Sequence, residues 1–181
     1  IGRIKKYNSP RIWFWYNLLM LIKTKSFTLS TYSKGDSDSE RLALVLPGKL
    51  DSKDYAHVRS HVDFLAKLGF FALSFDPPGT WESPGNISLY TTSNYLKAVN
   101  ELIEYFGNKP TFLMGHSRGA SVSMIASSKN SHIISYAAVM PAISETSITL
   151  RFKNISMRDL PPGGGREVKK FELPDSFHED E

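Results

Sequence analysis

The chain has 181 residues, which fits a single domain, and 41% of them are hydrophobic, enough for a packed core. It contains no cysteine, so disulfides, thiolate metal sites and a cysteine nucleophile are excluded, and we expect a cytoplasmic location. The formal net charge of +4 comes from scattered Lys and Arg residues, which argues against a nucleic-acid surface.

An apolar run near the N-terminus spans Ile12 to Ile22 and follows several basic residues. This order is superficially that of a signal peptide, but Lys23, Thr24 and Lys25 follow in place of a small-residue cleavage site. The run is also too short to cross a bilayer, so we do not expect membrane association. We interpret residues 1–25 as an N-terminal apolar segment that packs on the core as a helix or strand. An interfacial anchor and a signal remnant are the alternatives.

Apolar strands alternate with amphipathic helices along residues 26–145. Alternation of apolar and polar residues predicts one half-exposed strand, Ser26 to Tyr32. Continuous apolar runs predict buried strands, and these are Arg41 to Leu46, Phe70 to Phe75, Thr111 to Met114 and His132 to Met140. Strands that are apolar throughout imply a mostly parallel sheet covered by helices on both faces, so we predict an α/β fold.

Three helices are predicted between these strands, because apolar residues recur there at helical spacing. The caps expected from the sequence are Asp51 or Ser52 and Gly69 for the first helix, and Thr92 or Ser93 and Gly107 for the second. The third helix follows Ser117 and is built from small residues. In such α/β sheets, sites lie at the carboxyl ends of the strands.

The most informative stretch runs from Thr111 to Ala120 and reads T-F-L-M-G-H-S-R-G-A. Gly115 and Gly119 flank Ser117 at the spacing needed for a strand to turn sharply into a helix, since side chains at the glycine positions would clash. The turn would hold the Ser117 hydroxyl at a helix N-terminus, where backbone N–H groups and the helix dipole favour negative charge. The pattern therefore predicts a nucleophile elbow rather than a plain Gly/Ser turn.

Three loops at strand ends carry a resemblance to a known family. They read L-P-G-K-L-D after the first buried strand, F-D-P-P-G-T-W-E-S after the second and G-H-S-R-G-A after the third. Over roughly Leu42 to Pro141 the chain resembles the α/β-hydrolase superfamily, closest to its serine esterase and peptidase-like members. The resemblance implies cleavage of a small-molecule ester or amide through an acyl-enzyme on Ser117, with a histidine as base and no metal or organic cofactor.

The resemblance also implies an oxyanion hole made of two backbone N–H groups. One belongs to Arg118, the residue after the serine. The other lies in the turn after the earlier strand, where relatives usually carry His-Gly and this chain has Pro47 and Gly48. The N–H of Lys49 is the expected second donor, with Leu50 as the alternative. Because only backbone atoms serve, the proline need not abolish activity.

Other polar residues near the expected site are interpreted as structural. His116 adjoins the serine, but side chains beside an elbow point away from the serine hydroxyl, so packing or a local hydrogen bond is expected. His57 and His61 lie one turn apart and could mimic a metal pair, yet no third ligand is near in sequence, so no metal site is expected. Asp76 is expected to anchor an Asp-Pro turn.

The last residues, 146–181, change character. Ile148 to Phe152 and Val168 to Leu173 alternate like strands, with a proline- and glycine-rich turn between them. In the superfamily, a segment at this place often forms a lid over the site. We therefore expect a lid-like hairpin followed by an acidic end.

The family order of catalytic groups is serine, acid and then histidine. After Ser117 the candidate acids include Glu145, Asp159 and Asp175, and the histidines are His132 and His178. His132 opens a strand at the wrong end of the sheet, and no strand adjoins His178 to hold it rigidly. We therefore expect a C-terminally incomplete chain whose acid and base lie beyond Glu181, and which alone is inactive and poorly soluble.

Overall fold

The computed structural model describes residues 20–141, 155–162, 167–174 and 177. Within these residues there are eight strands and three α-helices. The strands are β1 (Met20–Lys23), β2 (Thr28–Lys34), β3 (Leu42–Leu46), β4 (Phe71–Phe75), β5 (Thr111–His116), β6 (Ile133–Val139), β7 (Ile155–Asp159) and β8 (Val168–Glu172). The helices are α1 (Ala56–Lys67), α2 (Thr92–Tyr105) and α3 (Arg118–Ser127), and a single 3-10 turn covers Ile87–Leu89.

Two of the segments discussed from the sequence fall mainly outside the described residues. Of the N-terminal apolar run, only the last three residues are described, and they form part of β1. The predicted strand Ile148 to Phe152 lies entirely outside. The strand predicted at Val168 to Leu173 is present as β8, and it pairs with β7, which the sequence pattern did not indicate.

Six of the strands form one sheet in the order β1-β2-β4-β3-β5-β6. The strands β3, β4, β5 and β6 run parallel to one another. At one edge of the sheet, β2 pairs antiparallel with β4, and β1 pairs antiparallel with β2. The strands β7 and β8 form a separate antiparallel hairpin. Because β3 to β6 are parallel, their carboxyl ends lie along one edge of the sheet, where the residues of interest follow.

Both faces of this sheet are covered. Ala43 and Val45 of β3 contact the core under α1, whereas Leu42, Leu44 and Leu46 contact the core formed with α2 and α3. Successive strand residues alternate between the faces, so a strand covered on both sides must be apolar throughout. The predicted fold class, a mostly parallel sheet with helices on both faces, is confirmed.

The helix caps differ from the prediction. The N-cap of α1 is Tyr55, without a side-chain cap bond, so the expected caps Asp51 and Ser52 were wrong. Both residues belong instead to the turn before the helix, where the Ser52 hydroxyl donates to Asp76. The N-cap of α2 is Thr91, one residue before the predicted position, and its hydroxyl accepts from the amide of Asn94.

The strand β6 was predicted as buried, and that is wrong for most of its length. Ile133 is buried, but Ile134 is 63% and Tyr136 44% exposed. In the described part of the chain, β6 has a neighbouring strand on one side only, β5. Continuous apolar character therefore does not show, by itself, that a strand lies between two others.

The loop between β1 and β2 is held by Glu101 of α2. The nearly buried Glu101 carboxylate accepts hydrogen bonds from the Thr24 hydroxyl at 2.6 Å, the Ser26 amide at 2.9 Å and the Ser26 hydroxyl at 2.6 Å. Burial alone would raise the pKa of Glu101, but these hydrogen bonds outweigh it and hold the pKa below its usual range. The carboxylate therefore ties the antiparallel edge of the sheet to α2.

We expect Glu101→Gln to lower the free energy of unfolding at pH 7 by about 2 kcal/mol, since hydrogen bonds to a charged acceptor are lost. A depressed folded-state pKa stabilises the fold above the unfolded pKa, and this contribution is lost as the pH falls through the folded pKa. The difference between the wild type and Glu101→Gln should therefore shrink in acid. Urea unfolding at several pH values tests this. The control is Glu104→Gln, which removes an exposed ion pair with Lys25 and should change the free energy of unfolding little. An equal loss of stability in both variants would contradict the role given to Glu101.

Candidate active site

Ser117 occupies a sharp turn between β5 and α3. Its backbone angles, φ 51° and ψ −117°, lie in a region that residues with side chains rarely adopt. Its amide donates to the carbonyl of Val139, the last residue of β6, at 2.9 Å, which fixes the turn to the neighbouring strand. The sequence motif thus forms the strand–turn–helix arrangement that it predicts, at the carboxyl edge of the parallel strands.

The two glycines of the motif allow backbone segments to touch. A Cβ atom on Gly115 would lie 2.1 Å from the carbonyl oxygen of Gly119. One on Gly119 would lie 2.1 Å from the carbonyl oxygen of Leu46 and 2.6 Å from that of Pro47. Because these neighbours are backbone atoms, they cannot move aside as a flexible side chain would. The start of α3 therefore rests directly on the end of β3.

The residues after β3 form a tight turn. The Asp51 amide donates to the Gly48 carbonyl at 3.1 Å, and Leu50 has a positive φ of 56°. The Leu50 amide donates to the Tyr90 hydroxyl at 2.9 Å. Of the two amides considered from the sequence, that of Leu50 is therefore already engaged by Tyr90. We call residues 48–51 the oxyanion turn, after the role that the sequence leads us to expect for them.

Carbonyl groups of the oxyanion turn are held by residues that sequence reasoning missed. Arg158 of β7 donates to the Lys49 carbonyl from Nε at 3.1 Å and from Nη2 at 2.7 Å. The Trp81 indole donates to the Leu50 carbonyl at 2.9 Å. Both contacts join segments far apart in sequence, so no local pattern indicates them.

A cluster of apolar and aromatic side chains lies beneath the turn. Leu50 is fully buried in it, although its positive φ would be easier for glycine. The other buried members, from the loop before α2 and from the hairpin and the residues after it, are Tyr90, Phe171, Leu173 and Phe177. We call this group the aromatic cluster.

The side chain of Arg118 also points into this region. It is 5% exposed, its guanidinium lies 4.7 Å from the ring centre of Tyr90 and 4.2 Å from that of Phe177, and its Nη2 donates to the Thr92 hydroxyl at 2.8 Å. The side chain is thus engaged in packing, which leaves the backbone as the part of Arg118 that can serve an oxyanion. Arg118 is the first residue of α3, so its backbone N–H has no hydrogen-bond acceptor within the helix.

Asp76 anchors the loop after β4, as expected from its Asp-Pro turn. Its fully buried carboxylate accepts from the Ser52 hydroxyl at 3.1 Å and from the amides of Lys53 at 2.9 Å and Glu82 at 3.2 Å. The Lys53 ammonium lies 3.4 Å away. Burial raises the pKa of Asp76, while the charge of Lys53 opposes that shift. The carboxylate has a structural role between two loops.

Three polar side chains meet beside the elbow, and the sequence did not indicate their meeting. His57 Nε2 lies 3.9 Å and His116 Nδ1 3.7 Å from Asp51 Oδ2, and one ligand atom from each residue lies within 4.8 Å of the others. Burial, and to a smaller extent the electrostatic interaction with His57 and His116, lowers the pKa of His61. The structure thus places two further polar groups beside His57: Asp51, six residues earlier, and His116, which is distant in sequence.

The remaining sequence candidates do not gather at Ser117. His132 precedes β6, at the amino edge of the parallel strands and opposite the elbow. Asp159 ends β7, where its carbonyl accepts from the Tyr55 hydroxyl at 2.7 Å. Glu145, Asp175 and His178 lie outside the described residues.

A cavity of about 550 Å³ lies between α1, the oxyanion turn and the hairpin. This volume suits a small molecule. The lining residues are Asp51, Tyr55, Ala56, His57, Met157, Arg158, Asp159 and Pro162. Among the described residues, no helix combines the length and apolar character needed to cross a membrane.

Comparison with known proteins gives one family match, and the family model, described as alpha/beta hydrolase fold, matches residues 44–176. No curated protein sequence matches the chain significantly. Solved structures with similar folds include Est1E from Butyrivibrio proteoclasticus, in a structure with ferulic acid bound. That match has 21% identity and a TM-score of 0.60, and covers 68% of this chain and 53% of that protein.

Two further structures resemble the chain to a similar degree. The esterase Pf2001 of Pyrococcus furiosus has 24% identity and a TM-score of 0.59, with 67% of this chain and 50% of that one covered. The thioesterase domain of the curacin biosynthetic pathway has 19% identity and a TM-score of 0.62, with 73% and 49% covered. At such identities the likeness shows the fold alone. The chain spans about half the length of these structures.

We expect Gly119→Ala to lower the free energy of unfolding by more than about 3 kcal/mol, because its methyl group would overlap two backbone carbonyls. The control is Gly107→Ala. Gly107 also has a positive φ, 77°, but no described atom lies within 4 Å of the position that its methyl group would take, so about 1–2 kcal/mol is expected. Urea unfolding of both variants measures the difference. Equal losses would show that the contact between α3 and β3 does not restrict residue 119.

Proposed function

The chain belongs to the alpha/beta hydrolase fold family, and from that premise we propose that it is a serine hydrolase that cleaves carboxylic esters or amides through an acyl-enzyme on Ser117. The observation that carries the proposal is the conformation of Ser117. A residue held at φ 51° between a strand and a helix presents its side chain at the edge of the sheet, at the N-terminus of α3. Strained backbone of this kind, with φ 51° and ψ −117° together, is concentrated at functional sites.

The proposed reaction begins when the Ser117 oxygen attacks the substrate carbonyl carbon and passes its proton to a histidine base. The tetrahedral oxyanion then collapses, the alcohol or amine leaves with that proton, and water hydrolyses the acyl-enzyme. Of the described histidines, we exclude His132 as the base because it lies at the opposite edge of the sheet. The family order favours a histidine later in the chain.

We propose that the amides of Lys49 and Arg118 stabilise the oxyanion. Lys49 is preferred to Leu50, since the Leu50 amide already donates to Tyr90. The contacts of Arg158 and Trp81 with the carbonyls of the turn support a fixed position for the peptide groups around Lys49. Donors fixed in advance stabilise a transition state without the cost of reorganisation.

We further propose that residues 146–181 form a lid-like segment over the substrate. In support, Arg158 of the hairpin contacts the oxyanion turn and also lines the cavity beside it. Two of the compared structures are named as an esterase and a thioesterase, which supports an ester of a small or medium acyl group as the substrate class.

We expect a fluorophosphonate probe to label the natural full-length protein, and Ser117→Ala in that protein to abolish both labelling and hydrolysis of p-nitrophenyl esters. Ser128→Ala is the matched control, since Ser128 is an exposed serine just after the end of α3. Intact-mass spectrometry and ester turnover measure the two effects. Labelling that survives in Ser117→Ala would rule out the serine. An absence of labelling and turnover in the natural full-length protein would instead favour a binding protein on a hydrolase scaffold.

Substitutions in the oxyanion turn should separate backbone from side-chain roles. Gly48→Val places a Cβ atom 2.7 Å from the Asp51 carboxylate and 3.1 Å from His116 Nδ1, so these side chains or the turn must shift. We expect the branched side chain to displace the turn and kcat to fall by roughly 10²-fold, as when one oxyanion donor is lost. Lys49→Ala keeps the backbone donor and should retain most activity. Steady-state kinetics on one ester compares the two. A loss in Lys49→Ala as severe as in Gly48→Val would implicate the ammonium group instead.

A further inference from the structure

We propose that Asp51, His57 and His116 bind one divalent transition-metal ion of the Zn²⁺ class. The three residues come from different parts of the fold: the oxyanion turn, the first turn of α1 and the last position of β5. Only folding brings them together. The proposal does not depend on the serine chemistry proposed above, although Asp51 and His57 also line the cavity beside the oxyanion turn.

The distances between the three ligand atoms suit a shared metal ion better than direct hydrogen bonds between the side chains. The distances of 3.7 Å and 3.9 Å from Asp51 Oδ2 to the two histidine nitrogens are too long for hydrogen bonds. Ligands at 2.0–2.2 Å around a tetrahedral Zn²⁺ lie about 3.3 Å from one another. Donor atoms that lie within 4.8 Å of each other therefore need to move by little more than about 1 Å to reach an ion.

The Nδ1 atom of His116 provides an independent observation. It is excluded from solvent and has no hydrogen-bond partner among the described residues, although the ring as a whole is partly exposed. Buried polar atoms nearly always have a partner, because an unsatisfied one is costly. Its nearest charged neighbour is Asp51, at a distance that an ion can bridge. An ion bound between them would satisfy both groups.

The donor types select the class of ion. Two imidazoles with one carboxylate suit Zn²⁺, Co²⁺ or Ni²⁺, whereas Mg²⁺ and Ca²⁺ prefer sites made of oxygen atoms. His57 and His116 have half-exposed side chains, at 48% and 43%, so solvent can reach the site and supply further ligands. His61 lies one turn further along α1 and is not among the three donors that come together.

Such an ion would join the oxyanion turn to the strand that carries Ser117. A Cβ atom placed on Gly48 would lie 2.7 Å from Asp51 Oδ2 and 3.1 Å from His116 Nδ1, so the Gly48 backbone forms one wall of the site. The ion would therefore restrain the turn against the elbow. Occupancy should also raise the melting temperature, because the ion binds the folded state only.

The test is a titration of the EDTA-treated full chain with CoCl₂, followed by visible absorption, and with ZnCl₂, followed by calorimetry. We expect one ion per chain. His57→Ala and His116→Ala should each weaken binding by at least about 100-fold, and Asp51→Asn by at least about 10-fold. The control is His61→Ala, on the same helix and one turn away, which should bind as the wild type does. Circular dichroism shows whether each variant remains folded.

These binding measurements test the metal site independently of the catalytic role proposed for Ser117. Ser117→Ala should bind Co²⁺ like the wild type, so a failure of the serine assignment leaves this measurement unaffected. The proposal is overturned if the wild type gives no Co²⁺ spectrum. It is also overturned if His61→Ala loses binding as severely as His57→Ala while His116→Ala keeps it. The ion would then be bound by the two histidines of α1, His57 and His61, without His116.

Discussion

The arrangement of this protein depends on a backbone contact between Gly119 and the carbonyls at the end of β3. Helix α3 can begin directly on the sheet only because no side chain separates residue 119 from Leu46 and Pro47. The same contact sets the distance between the elbow, which precedes α3, and the oxyanion turn, which follows β3. A close approach of two main chains is rigid, so it fixes relative positions more firmly than side-chain packing can.

On that base, the turn after β3 is held by groups from three other segments. Tyr90 binds an amide, Arg158 and Trp81 bind carbonyls, and the aromatic cluster buries the Leu50 side chain. No single one of these contacts determines the turn. Together they explain how a non-glycine residue keeps a positive φ at position 50, since the burial of a leucine side chain, worth about 2 kcal/mol, offsets a backbone cost of similar size.

The sequence predicts those features that depend on neighbouring residues. The alternation at Ser26 to Tyr32 and the apolar run of β4 are local patterns, and the structure has strands at both places. The elbow is local too, because its turn, its glycines and its helix are contiguous. In contrast, the meeting of Asp51 with His116 and the contact of Arg158 with Lys49 arise from tertiary folding, and no periodicity or spacing encodes them. The burial of β6 was overestimated for the same reason, because strand order is a tertiary property.

The contact between Arg158 and the Lys49 carbonyl has a consequence for how this protein can diverge. A hairpin that lines a cavity would be free to vary in length and composition if it touched only substrate. Here one of its arginines also supports the turn that follows β3, so changes that suit a new substrate would disturb the turn as well. Natural variants should therefore alter the cavity through Met157 and neighbouring outward positions, while retaining an arginine or an equivalent double donor at position 158.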